Sequence, residues 1–305
     1  MYEFIVNPQA RSGMGEMIWN RLEPELRKRR TDYCVYRTKR RHHGQQIAEK
    51  LTSDGKEHTI VVLGGDGTVN EVVNGIFRPE KVMLGYIPIG SSNDFARGLK
   101  IPKDPEQALE AVLDPRKVIP ADVGVLDRPG GNRRFIVSAG IGFDASVCHE
   151  VCVSPWKVIL NRIGLGKLSY AVVALDRMIK DCPVKAVVTL ENGQKRIFEK
   201  MYFAAFMNLP CEGGGFRFCP QASAEDGMLD LLVASGLTKP KMLCLLPLAF
   251  GGLHVGFKGI TILRCKQVEV EADRVLALHT DGEPGFLRRR VTVGILDEKL
   301  RVIVG

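Results

Sequence analysis

The sequence has no apolar run long enough to cross a bilayer, no Cys-x-x-Cys pair, no internal repeat and no low-complexity linker. Each absence removes a class of protein. The most apolar stretch, Met242 to Phe257, is broken by Pro247, Gly251, Gly252, His254 and Gly256, short of the ~20 residues a spanning helix needs. A core helix followed by a loop, or an element lying against lipid, are the readings it leaves. The eight cysteines, from Cys34 to Cys265, lack disulfide-framework or metal-ligand spacing and read as reduced thiols. His42-His43 has no cysteine or carboxylate at ligand spacing. No recognition helix, zinc finger or RNA-binding signature accompanies the basic residues, which argues against nucleic acid. Met1 to Val6 lacks a basic segment followed by a long apolar one and reads as a first strand, so a cytoplasmic protein is expected.

What is present is ordinary globular composition: 305 residues, 45% hydrophobic and 26% charged, enough for two medium domains. The 32 glycines exceed the usual ~7% and imply many loops. The net charge of +8 is clustered at Arg27 to Arg30, Arg37 to Arg41 and Arg288 to Arg290. Such clusters suit a solvated face, nucleotide phosphate or an anionic membrane surface.

Short β-branched runs alternate with helical spacing over the first 120 residues, which predicts an α/β domain with a mainly parallel sheet. Strands are expected at Glu3 to Val6, Tyr33 to Tyr36, Thr59 to Leu63 and Val82 to Ile87, with helices at Met17 to Arg29, Gln45 to Leu51, Val69 to Ile76 and Pro105 to Leu113. After Asp122 the texture changes to alternating segments such as Arg134 to Ser138, Lys185 to Leu190, Lys200 to Met207, Leu229 to Ala234, Gln267 to Glu271 and Val291 to Leu296. These predict a β-rich second domain, a sandwich interrupted by helices at Lys167 to Lys180 and from about Lys241. The expected division is 1–124 and 125–305, with the strand-like Leu300 to Val304 free to return to the first domain.

Three loops carry chemistry. Ile60 to Glu71 reads as a buried strand, a Gly64-Gly65-Asp66-Gly67-Thr68 turn and a helix start. Glycines let the backbone approach a phosphate, and the helix N-terminus attracts it. Asp66 in an anion-binding turn implies a metal between acid and phosphate. Gly85 to Arg97 follows the next strand, so its hydroxyls and Asn93 should lie beside the first loop, unless Ser92, Asn93 or Asp94 only caps a helix. Asn7 to Gly15 leaves the first strand in the same way. Cys148, Cys152, Trp156, Ile159, Leu160 and the apolar face after Lys167 suit core packing, or the lining of a lipid cleft for all but the cysteines.

Asn7-Pro8 with Arg11-Ser12-Gly13, Gly64 to Thr68 with Asn70-Glu71, and Gly90-Ser91-Ser92-Asn93-Asp94-Phe95-Ala96-Arg97 stand in the order and spacing of the diacylglycerol kinase catalytic family. Ala121 to Gly124, Ala139 to Asp144, Asp226 to Asp230 and Thr280 to Glu283 extend the similarity. The chain resembles the soluble bacterial lipid kinases related to sphingosine and ceramide kinases. The Gly-Gly-Asp-Gly turn alone is shared with NAD kinases and phosphofructokinases.

The resemblance implies two domains with the active site in the cleft between them, and an ATP- and Mg2+-dependent kinase that phosphorylates a lipid hydroxyl, diacylglycerol by default. ATP would be held by Asn7, Pro8, Arg11, Ser12, Gly13, Thr38, Gly64, Gly65, Asp66, Gly67, Thr68, Val69, Asn70, Glu71 and Ser91. Asp66, Asp122 and Asp281 match the acidic network around the catalytic Mg2+, and Glu283 matches the general base. Asp226 with the carbonyls of Ser223 and Met228 matches a second, structural Mg2+ site. Serine replaces the family's usual threonine at Ser91, and the first turn is two residues longer than is common. A lipid partner, transient contact with the inner membrane face and a homodimer are further expectations. An NAD kinase-like enzyme acting on a soluble substrate, or a silent nucleotide- or lipid-binding regulator, are the alternatives.

Overall fold

The computed structural model describes residues 1–127, 131–153 and 166–305. Trp156, Ile159 and Leu160 therefore lie outside the described residues. The first part of the chain runs β1 (Tyr2–Val6), α1 (Ala10–Lys28), β2 (Tyr33–Arg37), α2 (His43–Thr52), β3 (His58–Gly64), α3 (Asp66–Gly75), β4 (Val82–Pro88), α4 (Asp94–Leu99), α5 (Pro105–Leu113) and β5 (Val118–Ala121). With β15 (Leu300–Ile303), these strands form a six-stranded sheet ordered β2-β1-β3-β4-β15-β5. Every pairing is parallel except β15 with β5.

The central strands β1, β3 and β4 are buried nearly throughout, as expected where helices cover both faces of a parallel sheet. α2 and α3 pack closely because Gly75 leaves room: a Cβ there would stand 2.2 Å from the Gln45 carbonyl oxygen. Asp104 accepts from the Gln107 N–H at 3.0 Å and, with Pro105 following, starts α5.

The second part comprises β6 (Gly124–Leu126), β7 (Arg133–Phe135), β8 (Ser138–Gly142), α6 (Phe143–Val153), α7 (Gly166–Lys180), β9 (Val184–Leu190), β10 (Lys195–Met207), β11 (Leu229–Ser235), α8 (Lys239–Phe250), β12 (Ile260–Cys265), β13 (Gln267–Thr280) and β14 (Glu283–Ile295). The strands form one nine-stranded antiparallel network. β8 and β9 both lie between β10 and β13, at opposite ends of those two strands. Register shifts at Phe198/Met201 and Glu271/Leu276 mark where β10 and β13 bend from one neighbour to the other. Phe135, Ile141, Val188, Phe206, Leu231 and Val270 are among the side chains filling the core between the layers.

Two expectations are corrected. The single strand expected at Arg134 to Ser138 is two, β7 and β8, because the N–H groups of Ile136, Val137 and Ser138 all donate to the Asp281 carboxylate instead of a ladder. The short strands expected at Gln267 to Glu271 and Val291 to Leu296 are ends of one long hairpin, β13–β14, turning at Asp281-Gly282. No disulfide forms among the described residues, and none of their helices is long and apolar enough to cross a membrane.

β15 sits between β4 and β5, with Val302 paired to Leu84 and Ile119 and fully buried. Val302→Ala should lower unfolding free energy by about 2 kcal/mol despite its place three residues from the chain end, because the cavity lies in the first sheet's core. Urea unfolding checks this; an unchanged midpoint would mean that the strand adds no core packing.

Candidate active site

The loops after β1, β3 and β4 meet at the carboxyl edge of the parallel sheet, where open α/β folds collect ligands. Gly65 precedes α3 in extended backbone, and no side chain caps the helix. Gly65 and Gly90 lie back to back: a Cβ on Gly90 would stand 2.6 Å from the Gly65 Cα. Asn93, left-handed at φ 51°, accepts from the Gly90 N–H at 2.8 Å and fixes the second loop. The Asp66 carboxylate accepts from the N–H groups of Asp94 (3.0 Å) and Phe95 (3.2 Å), so the first loop caps α4. Asn7 donates to the Thr68 hydroxyl at 2.9 Å, tying in the first turn. In that turn Arg11, Ser12 and Gly13 are all left-handed.

The second domain contributes the β13–β14 turn. Asp281 (φ 49°) accepts from Val137 N–H at 2.8 Å, Ile136 N–H at 3.0 Å, Ser138 N–H at 3.1 Å and the Asn70 amide at 2.7 Å. Asn70 belongs to α3, so this carboxylate joins the two parts of the chain. Burial pushes Asp281 up, against the pull of its four donors. Two residues on, Glu283 reaches over the phosphate-type loop: a Cβ on Gly67 would stand 3.0 Å from its Oε1. Its other oxygen pairs with Arg41 at 2.6 Å.

The first domain's acids are crowded. Asp66 is pushed up to about 6, first by burial and then by the Asp94 charge, with a smaller push from Asp281. Burial also pushes Asp94 up, opposed by the Gly214 N–H and Arg97. Buried carboxylates in mutual repulsion are a site that a cation would stabilise.

Other expected site residues go elsewhere. Asp122 does not join Asp66; its partners are Lys299 at 2.7 Å and the Gly227 N–H at 2.7 Å, because it sits where the chain passes from β5 to β6. The acid acting on Asp66 in its place is Asp94. Glu71 accepts from the His42 and Gly44 N–H groups and so serves the start of α2. The Thr38 N–H donates to the Val6 carbonyl. Asp226 accepts from Arg264 at 2.5 Å and from the Met228 N–H, while Ser223 accepts from the Glu225 N–H. A cation at Asp226 would have to displace that guanidinium.

Residues 2–126 match the family model described as diacylglycerol kinase catalytic domain, and residues 136–304 match that of the YegS C-terminal NAD kinase beta sandwich-like domain. The chain belongs to the diacylglycerol kinase family of lipid kinases. It is similar to YtlR of Bacillus subtilis, 30% identical over 288 residues and 92% of each chain, and to the diacylglycerol kinase of Mycobacterium tuberculosis, 29% identical over 79% of this chain and 75% of that one. In fold it resembles a diacylglycerol kinase from Bacillus anthracis (TM-score 0.71, 21% identity, 100% and 96% of the chains). An NAD kinase from Archaeoglobus fulgidus in complex with ATP shares the fold more distantly (TM-score 0.57, 13% identity, 99% and 93% of the chains).

In this lipid kinase a further buried group lies behind Asp281. His279 Nε2 is 3.0 Å from Asp144, and the Gly282 N–H points at its Nδ1 from 3.3 Å. Burial alone would push the imidazole down; the Asp144 carboxylate reverses this and pushes it up to about 9. The Gly282 contact opposes that protonation, and the hydrogen-bond direction decides, since a protonated Nδ1 would set two N–H groups against each other. Nε2 therefore carries the hydrogen and donates to Asp144. No ring lone pair remains for a metal, although Asp144, Glu212 and His279 converge within 4.8 Å. The dyad instead steadies the turn that carries Asp281 and Glu283. Asp94 and Asp144 stand in the motifs that carry the resemblance, but only the folded geometry assigns them partners. Glu212, in Cys-Glu-Gly-Gly-Gly, has no sequence signal.

Glu212 Oε2 is buried with no hydrogen-bond partner among the described residues, and burial pushes the group up to about 7. A raised acid favours the protonated fold, so its stabilising effect is full below about pH 4.5 and is lost as pH rises through about 7. Glu212→Gln should remove that dependence, with a stability advantage over the parent of up to about 3 kcal/mol above pH 7 that closes towards pH 4.5. Denaturant unfolding across this range tests it; a gap that is constant with pH would contradict the account.

Proposed function

We propose that the enzyme transfers the γ-phosphate of ATP to a lipid hydroxyl in a Mg2+-dependent reaction, with diacylglycerol the acceptor and phosphatidic acid the product. The observation that supports this is Glu283, brought from the second domain to within contact of Gly67 in the first domain's glycine loop. A proton acceptor beside a phosphate-type loop is the arrangement that hydroxyl phosphorylation needs.

ATP use follows from kinase family membership. The uncapped, glycine-led start of α3 has N–H groups and dipole suited to phosphate oxygens. Asn7, Pro8, the turn Arg11 to Gly13, Thr38, Gly64 to Glu71, Ser91 and Asn93 would surround the nucleotide. The donor chemistry also fits Mg2+, which Asp66, Asp94 and Asp281 would hold directly or through water. When bound, the ion neutralises charge on the phosphates as the terminal group transfers.

Glu283 takes the proton from the lipid hydroxyl as its oxygen forms a bond to the γ-phosphorus and the bond to the bridging oxygen of ADP breaks. Arg41, paired with Glu283 here, is free to turn to the nucleotide phosphates once substrate arrives. The Asn70–Asp281 bond keeps the base in register with the loop.

Glu283→Gln should reduce kcat by about a thousandfold, within the range for losing a general base, with KM for ATP little changed. Asp66→Asn should weaken Mg2+ dependence and activity together. The decisive assay is incubation with ATP, Mg2+ and a total lipid extract, followed by mass identification. A lipid phosphomonoester with stoichiometric ADP is expected; phosphorylated NAD with no lipid product, or no turnover at all, would overturn the reading.

A further inference from the structure

α8 is apolar on both sides. Its inner face, Met242, Leu245 and Ala249, packs into the second domain, while Leu243, Pro247 and Phe250 on the outer face are exposed. The turn after it continues the ridge: Leu253 is 66% exposed, and Val255 and Phe257 are 45% and 44% exposed. No charged residue occurs from Met242 to Phe257. A helix apolar all round is normally a core helix or a lipid-contacting one, and this one lies on the surface.

Lysines frame the ridge. Lys239 donates to the Ile179 carbonyl and Lys241 to the Lys258 carbonyl, each at 2.5 Å, so their Nζ groups bind main chain. No ion pair neutralises Lys239, Lys241 or Lys258 among the described residues. The turn is held firmly beneath: His254 is buried and bonds the Phe218 carbonyl at 3.1 Å. The outward apolar residues are thus displayed on a packed base.

Aromatic contacts connect the ridge to the site. Phe250 lies 4.0 Å from Phe216, ring centroid to centroid. Phe216 closes a tight turn with Glu212, and within that turn the Gly214 N–H donates to Asp94 at 2.7 Å.

We infer that the outer face of α8 with the turn to Phe257 is the surface by which the protein docks on an anionic bilayer, its apolar residues entering the headgroup region and its lysines meeting lipid phosphates. Apolar insertion plus basic charge is the combination that gives stable interfacial binding. This deepens the lipid-kinase reading and rests on it for its purpose. The turn at Glu212 to Phe216 then lies between the bilayer and the catalytic acids, on the route an acceptor lipid would take.

The test uses the full chain without ATP, sedimented with vesicles of phosphatidylcholine containing about one-third phosphatidylglycerol, a mix rich enough in anionic lipid to engage lysines. Leu243→Glu combined with Leu253→Glu should weaken binding by more than about tenfold while the melting temperature stays unchanged. Lys239→Glu with Lys258→Glu should weaken binding to these vesicles and leave the weaker binding to pure phosphatidylcholine unaffected. Activity on a short-chain acceptor in detergent micelles should survive in the Leu243/Leu253 variant. Vesicle binding equal to the parent in that variant would overturn the inference. So would a dimer in light scattering that the same substitutions dissociate, since a second copy would then cover the ridge. A protein that phosphorylates no lipid yet sediments through this face would defeat the kinase reading alone.

Discussion

The Asp281 carboxylate is the point on which the arrangement turns. It accepts three successive main-chain N–H groups from the segment between β7 and β8 and a fourth donor from α3. Those three N–H groups are withdrawn from any strand ladder, so without the carboxylate they would be buried and unpaired, a cost of about 1–3 kcal/mol each. One acid therefore interrupts a strand, fixes the left-handed turn that carries Glu283 and ties the second domain to the helix behind the glycine loop. The same acid is also a candidate Mg2+ neighbour, and its near-saturation with donors favours an outer position, acting through water and through Asn70.

Electrostatic organisation follows from this geometry. Asp66, Asp94 and Asp281 come from separate stretches of sequence, yet the charges of Asp94 and Asp281 both push Asp66 up. Their repulsion is tolerated because main-chain N–H groups of α4, of the Gly214 turn and of the β7–β8 segment face them. Backbone dipoles hold the acids in place against that repulsion. Glu212 has no such compensation, which makes it the group whose charge the fold resists.

Much of the architecture was legible from the sequence because its signals are local. The apolar runs at Thr59 to Leu63 and Val82 to Ile87 announce strands of a mainly parallel sheet, and Pro105 announces a helix start. The loops at Gly64 and Gly90 follow their strands directly, so their proximity could be inferred from topology. Long-range pairing was not legible. Arg134 to Ser138 reads as a continuous strand because the residue that breaks it lies more than a hundred positions away. Asp122 resembles a catalytic acid by motif, whereas its partner Lys299 is nearly two hundred residues distant. Arg41 opposite Glu283, and Glu212 beside His279, likewise depend on tertiary placement for which no local pattern codes.

The chain passes between the two sheets twice, once after β5 and once before β15. These passages are laced together: the Leu296 N–H donates to the Val123 carbonyl at 2.9 Å, and Lys299 pairs with Asp122. Two bodies joined by a single strand can twist and swing in any direction. Two bodies joined by a pair of adjacent, cross-linked strands are held more tightly, and the Asn70–Asp281 bond adds a third tie between them. Glu283 is therefore held over the glycine loop by ties on both sides, and its alignment does not rest on one flexible connection.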